Sequence, residues 1–217
     1  MTTTTFAEGA HTGEFLISEC DQPNYSRDVV TLISGQNLGA GTVLGKITLA
    51  GATAAAFAGN TGTGTVGTIT VSAGAKPGVY KVVMVEPGTN VGTYTVEDPD
   101  GVTIGTGVVA SAFSAGGLAF TISDATDFVA GDGFNITVAA GSSKYTQFNQ
   151  DASNGSQHAA GILYAAVDAS GGDVTIAVII ARDAIVNGDL LVWPSDIEAG
   201  EKTAAIAELK AIGILVR

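Results

Sequence analysis

The run Val174-Thr175-Ile176-Ala177-Val178-Ile179-Ile180 constrains the fold most, because it is apolar at both parities of an extended chain. In a strand, Val174, Ile176, Val178 and Ile180 point to one face, and Thr175, Ala177 and Ile179 to the other. A strand apolar on both faces must be covered on both, by its own core or by another copy of the chain. Downstream, Asn187-Gly188 has the composition of a two-residue hairpin turn. It predicts that Asp189–Trp193 returns as a partner strand. Pro194 would end that strand, since proline has no N–H to give a ladder. Trp193, the one tryptophan, then sits at an edge and can serve as core anchor or interface contact.

Upstream, Phe15–Ser18, Arg27–Ile33 and Thr42–Leu49 read as strands, separated by turn-rich Asp21-Gln22-Pro23-Asn24 and Ser34-Gly35-Gln36-Asn37. Arg27–Ile33 is again apolar on both faces, which places it in the same packed unit as the opening run. From Gly59 to about Gly141 the texture changes to strict alternation. Ile69/Val71, Tyr94/Val96, Leu118/Phe120/Ile122 and Phe134/Ile136/Val138 face one way, and threonines and Asn135 the other. Val79–Val85 adds a strand. The turns Lys76-Pro77-Gly78, Glu86-Pro87-Gly88, Asp98-Pro99-Asp100-Gly101 and Gly131-Asp132-Gly133 break these strands at short intervals, the pattern of a small β-sandwich or barrel. Residues 142–158 are polar and linker-like. Ser195-Asp196-Ile197-Glu198 has capping-box form before an Ala-rich helix at 201–210 that Gly213 stops, and Ile214–Val216 closes the sheet.

The expected class is mostly β: a compact β-clip-like core with one short C-terminal helix, interrupted by an inserted, immunoglobulin-like sandwich. The expected boundaries are an extended arm at 1–14, a core at 15–58 and 146–217, and an insert at 59–145.

Charge narrows the function. Nine Lys and Arg stand against 21 Asp and Glu, a net charge of −12, with no basic cluster. Nucleic acid and anionic membranes both require grouped cations, so neither is an expected partner. Charged residues are 14% of the chain, against about a quarter in typical domains. That scarcity predicts that part of the surface is covered by other chains. A single cysteine, Cys20, allows no internal disulfide and suits assembly in a reducing cytoplasm. The first residues lack the basic start and apolar stretch of an export signal, which predicts a soluble, unexported chain.

No motif carries catalysis. Gly62-Thr63-Gly64-Thr65-Val66-Gly67 spells GxGxxG, but phosphate cradling needs a helix to follow, and Thr68–Val71 reads as a strand. Asp98-Pro99-Asp100-Gly101 lacks the further oxygens of a calcium loop and reads as a hairpin turn. Asp124, Asp127 and Asp132 read as a solvated acidic loop. His11 and His158 have no zinc spacing. The expectation is therefore no catalytic, cofactor or metal site.

Several segments together resemble the lambda-type bacteriophage head decoration proteins. They are Gly13–Glu19, Ser26–Val30, Ala40–Lys46, Ala160-Gly161-Ile162-Leu163, Leu191-Val192-Trp193-Pro194 and Ala211–Arg217, in family order over about residues 13–50 and 155–217. The resemblance implies a capsid cement protein, made in the host cytoplasm. It would bind as a homotrimer to the major capsid protein at three-fold sites on the outer virion surface, resisting the pressure of packaged DNA. It also implies a capsid-binding arm, here Thr3, Thr4, Thr5, Phe6, His11 and Phe15, ordered on the shell by strand addition; folding back on its own subunit is the alternative. Leu191, Trp193, Pro194, Ile162 and Leu163 are the candidate trimer or core contacts. The insert would be either a module contacting glycans or a host surface, or a spacer between trimers. The competing class is a surface adhesin or carbohydrate-binding structural protein.

Overall fold

The computed structural model describes residues 9–72, 74–89, 91–124 and 126–217. In chain order, β1 (Leu16–Glu19), α1 (Pro23–Ser26), β2 (Arg27–Leu32), β3 (Gln36–Leu38) and β4 (Val43–Lys46) come first. There follow β5 (Leu49–Ala56), β6 (Thr65–Val66), β7 (Thr70–Val71), β8 (Gly78–Gly88) and β9 (Val91–Glu97). β10 (Thr103–Val108), β11 (Ala112–Ala115), β12 (Leu118–Ser123) and β13 (Gly133–Ala140) come next. The chain ends with β14 (Tyr145–Gln147), β15 (Ala159–Leu163), β16 (Val167–Ala169), β17 (Val174–Ile180), β18 (Ala184–Val186), α2 (Ala199–Ala211) and β19 (Ile214–Val216). The protein is mostly β, as the patterning predicts, with one substantial helix near its C-terminus.

It divides into two compact units, Met1–Ile47 with Ser143–Arg217, and Thr48–Ser142. In the first, β14, β2, β17, β15 and β4 close into a barrel. Closure explains the two-sided apolar strands. Side chains of one parity fill the barrel: Leu32, Leu44, Leu163, Ala177 and Ile179 form one buried cluster with Leu38 and Ala169. Those of the other parity, Val43, Ile162 and Ile180, pack outside the barrel in a second cluster. Phe15, Val186, Ile214 and the helix residues Ala205 and Leu209 complete that second cluster. β1 and β19 flank β18 in a three-stranded sheet, antiparallel and parallel to it respectively.

The two-sided covering of β17 holds from Ala177 to Ile180 and fails at Ile176, which is 77% exposed. Ile176 faces outward by the same parity as Val178 and Ile180, and the register shift between Val174 and Ala177 leaves Val174, not Ile176, against the inner cluster. The Asn187-Gly188 hairpin does not form. Asn187 is extended (φ −79°, ψ 114°), and its side chain accepts the Asp189 N–H at 3.0 Å, starting a 3-10 turn at Gly188–Leu190. The segment after it is not a returning strand: Val192 makes one parallel bridge to Thr42. The polar stretch after Ser142 is not all linker either, because β14 is a barrel strand and Phe148 is buried. The helix begins at Ala199, two residues before the expected 201, and Ser195 is not its cap. Glu198 is the cap residue, paired in a capping box with Glu201.

In the second unit, β10, β9, β8, β13 and β5 form one antiparallel sheet, and β11, β12 and β6 another, with β7 also on β12. Both sheets contribute to a single core around Tyr80, Val82, Tyr94, Phe120, Ile122 and Ile136. The period-2 reading holds here, with apolar residues inward and threonines outward. Tyr94, Phe113 and Phe120 stack within it at 5.0–6.2 Å between ring centroids. The divide falls earlier than sequence predicts. Leu49–Ala56, expected in the core unit, pairs with β13 over Phe134↔Ala56 to Val138↔Ala52.

Candidate interaction surfaces

Of the expected arm residues, Thr3, Thr4, Thr5 and Phe6 lie outside the described residues. His11 and Phe15 are described, and they differ. His11 is exposed, its N–H bonded to Glu14 Oε2 at 2.9 Å. Phe15 is 1% exposed and belongs to the core, which leaves it no surface to offer a capsid. The root of the N-terminal segment is fixed by Gly13. Its N–H donates to the Tyr164 carbonyl at 2.9 Å, and its φ of +68° suits a residue without Cβ. A Cβ there would also stand 2.7 Å from Tyr164 Cε2. The Tyr164 ring in turn carries the Arg27 guanidinium, 3.9 Å from its centroid. The hydrogen bond from Arg27 to Glu19 (Nε–Oε2 2.9 Å) raises the guanidinium's pKa further. Tyr164 thus links the arm root, through its carbonyl, to Arg27 of β2, through its ring, and Arg27 passes the link to Glu19 of β1.

Leu191, Ile162 and Leu163 are buried in the chain's own core, at 7%, 0% and 0% exposure. Trp193 and Pro194 keep surface. Trp193 meets Phe148 edge-on at 6.0 Å, lies under Lys202 Nζ at 5.6 Å, and leaves its indole Nε1 unpartnered. Pro194 lines a cleft of about 500 Å³ with Ser34, Gln36, Gln147, Asn149 and Asp196.

Sequence reading missed the exposed apolar strip on the outer barrel wall. Val29, 67% exposed, stands opposite Val178 across the β2–β17 pair, with Ile176 at the adjoining irregularity. Tyr25, 64% exposed, precedes β2 in the same unit. The signal was present in both two-sided strands; what it lacked was which of their residues the chain's own clusters cover.

The acidic turns are self-contained. Asp98 accepts the N–H groups of Asp100 and Val102, each at 2.9 Å, and Lys76 Nζ lies 2.6 Å from both Asp98 and Asp100. Lys76 and the two N–H groups hold the Asp98 carboxyl below its ordinary range. These bonds fix the β9–β10 turn. Asp132, expected to be solvated, is 4% exposed. It accepts N–H bonds from Thr61 (3.0 Å), Gly62 (2.8 Å) and Val129 (3.0 Å). Burial alone would push its carboxyl up, but these three donors outweigh it and hold it low. The GxGxxG segment therefore wraps a carboxylate of its own chain. Gly64 lies so close to the Phe128 ring and the Ser123 carbonyl that a Cβ would sit 2.2–2.3 Å from each. Strand β6 lies within the segment, and the strand expected at Thr68–Val71 follows it as the shorter β7. Among the described residues, no three His, Cys, Asp or Glu side chains converge to hold a metal ion, and no helix is long and apolar enough to cross a membrane.

No curated protein matches the chain. Among solved structures, flagellar proteins are similar to part of the chain at low scores. Xanthomonas campestris FlgL is 24% identical over 46% of this chain and 33% of its own, with a TM-score of 0.34. The flagellar junction protein FlgL from Legionella pneumophila is 19% identical over 49% of this chain and 35% of its own, also at 0.34. The chain thus spans about a third of those proteins, too little and too loosely for a functional argument. The sequence model described as bacteriophage lambda head decoration protein D, by contrast, matches residues 5–214. With nearly its whole length matched, the chain belongs to the bacteriophage lambda head decoration protein family, structural proteins of the outer capsid surface.

Proposed function

We propose that the protein acts as a homotrimer that binds the expanded phage head at three-fold sites and cements neighbouring capsomers against internal DNA pressure. The observation that carries the trimer is the strip of Val29, Val178 and Ile176 on the barrel wall. Val29 and Ile176, 67% and 77% exposed, stand on a rigid closed barrel, where a second copy could cover them without rearrangement. Surface of this kind is normally covered in a protein with so few charges to keep it soluble.

In this reading the segment before Gly13 reaches the major capsid protein. The Gly13–Tyr164–Arg27 contact supports it by giving that segment a fixed point of departure. Three arms on one trimer bind with an avidity about 10²–10⁴ above that of one arm, through effective concentration. Net charge of −12 suits a protein outside the shell, away from the genome.

The test is co-sedimentation of purified protein with undecorated, expanded heads, comparing the full chain with one lacking residues 1–14. Near-stoichiometric binding of the full chain and loss on truncation are the expected results. Equal binding by both would overturn the arm's role. Binding by neither, with both proteins folded, would overturn the capsid-cementing mechanism itself.

A further inference from the structure

The chain holds nine Lys and Arg, and most of them have a partner. Arg27 is ion-paired with Glu19, Lys76 with Asp98 and Asp100, Lys144 with Asp173, and Arg182 with Asp28. Lys46 and Lys202 lie over the rings of Tyr145 and Trp193. Lys81 stands opposite Glu97 across the β8–β9 pair. The side chains of the remaining two, Lys210 and Arg217, have no ion pair or ring contact among the described residues. Both are exposed, and both line one small cleft of about 150 Å³, with Ile206 of α2 and Leu215 and Val216 of β19, all three half-buried.

In a chain of net charge −12, two uncompensated cations beside apolar side chains complement a ligand that brings a carboxylate and an apolar group together. An apolar cavity of about this size accommodates a benzene ring. The chain itself carries that combination in Phe6-Ala7-Glu8, which lies outside the described residues. Phe6 is the one aromatic residue before Phe15, and Glu8 the one acid before Glu14. The point where the N-terminal segment leaves the fold brings them within reach of the cleft. Leu16 pairs with Val186 and Val186 with Val216, so Leu16 and Val216 are two strand spacings, about 10 Å, apart. The N–H groups of Asn187 and Gly188 donate to the carbonyls of Phe15 and Arg217, each at 2.7 Å, which holds both residues at one end of the sheet. An extended chain spans about 3.3–3.6 Å per residue, so from Gly13 it reaches ~17 Å to Glu8 and ~24 Å to Phe6.

We infer that in the protein free of other partners the Phe6-Ala7-Glu8 segment docks on its own chain at this cleft. The Phe6 ring packs against Ile206, Leu215 and Val216, and the Glu8 carboxylate pairs with Lys210 and Arg217. Residues two apart in an extended segment share a face, so Phe6 and Glu8 can meet the cleft together. Each contact alone is weak, because an exposed ion pair contributes little in water. The tether supplies the rest, since a short linker holds the segment at millimolar effective concentration. The contact is thus a latch, closed by a small margin and open to displacement. It does not depend on capsid binding; where the arm meets a shell, the shell competes with the cleft for the same residues.

The experiment uses the full chain in solution, without heads. A nitroxide on T5C, in a C20S background, reports the motion of the segment by electron paramagnetic resonance. The expected result is an immobilised component whose share does not change on dilution. K210E/R217E should lower the ratio of immobilised to mobile label about tenfold, and F6A about tenfold or more. E8K should lower it as well, and E8K combined with K210E/R217E should recover it, which a general loosening of the fold would not do. F6A and E8K touch neither buried cluster of the unit, so they carry the test if K210E/R217E fails to fold. A fully mobile label in the native sequence, immobilisation unchanged by every variant, or immobilisation lost on dilution overturns the inference. Co-sedimentation of the same variants with expanded heads is read separately: binding by none of them would count against the decoration reading and leave the spectral result as it stands.

Discussion

Replacing Ile176 by aspartate tests the barrel wall as a subunit interface. Burying a whole isoleucine or valine side chain contributes about 1.5–3 kcal/mol. With 77% of Ile176 and 67% of Val29 exposed in the single chain, covering them gives roughly 1–2 kcal/mol each. In a closed trimer the Ile176 term occurs three times, so I176D removes about 3–6 kcal/mol per trimer before any cost of burying the new carboxylate. That lowers the trimer association constant by about two to four orders of magnitude. The fold should survive, because Ile176 lies in neither buried cluster of its unit and contributes no internal packing. Sedimentation velocity at micromolar protein should show native trimers and I176D monomers with the same circular dichroism spectrum. V29D should behave alike, and the two together should not restore assembly. A trimeric I176D with undiminished affinity for heads would refute this assignment of the interface.

Further outcomes concern what holds each unit. D132A should lower stability by about 3 kcal/mol in urea titrations, because one fully buried and two partly buried N–H donors lose their acceptor. The Asp132 pKa is lower folded than unfolded, so its contribution is complete above the ordinary aspartate value of about 3.9 and fades as pH falls through the folded value; native stability should drop more steeply below pH 4 than that of D132A. G13A, forced to +68° against the Tyr164 ring, should cost about 1–3 kcal/mol and loosen the arm root; trypsin cleavage at Arg27, timed against the native protein, checks it. L209A should cost about 2–5 kcal/mol, since the side chain is fully buried between α2 and the barrel; a thermal melt checks it.

How much of this was legible beforehand depends on whether the deciding partner was local. In β9, β12 and β13, large apolar residues alternate with small or polar ones over most of each strand, and a period of two assigns both the strand and its inner face. Asp98-Pro99-Asp100-Gly101 was legible as a turn because the bonds that make it, from the Asp100 and Val102 N–H groups to Asp98, are two and four residues long. Asn187-Gly188 misled because asparagine serves two turn chemistries. The strand before it, β18, takes its partners from β1 and from β19 at the chain's end. With both its edges bonded there, no returning hairpin strand can form, and the side chain of Asn187 turns instead to the Asp189 N–H.

Asp132 shows the same limit at a candidate site. Among glycines and acidic residues it reads as solvated, yet the donors that bury it come mainly from Thr61 and Gly62, about seventy positions upstream. Its neighbours at 131 and 133 could not reveal that. The interaction surfaces were hardest to read because exposure is a residue of packing: Ile176 and Ile180 share one sequence run and one parity. Ile180 is covered by the cluster that includes Ala205 and Leu209 of α2, while that cluster does not reach Ile176. A pattern in sequence can demand that both faces of a strand be covered. Which of its residues is left for another molecule is decided by where the covering elements of the same chain end.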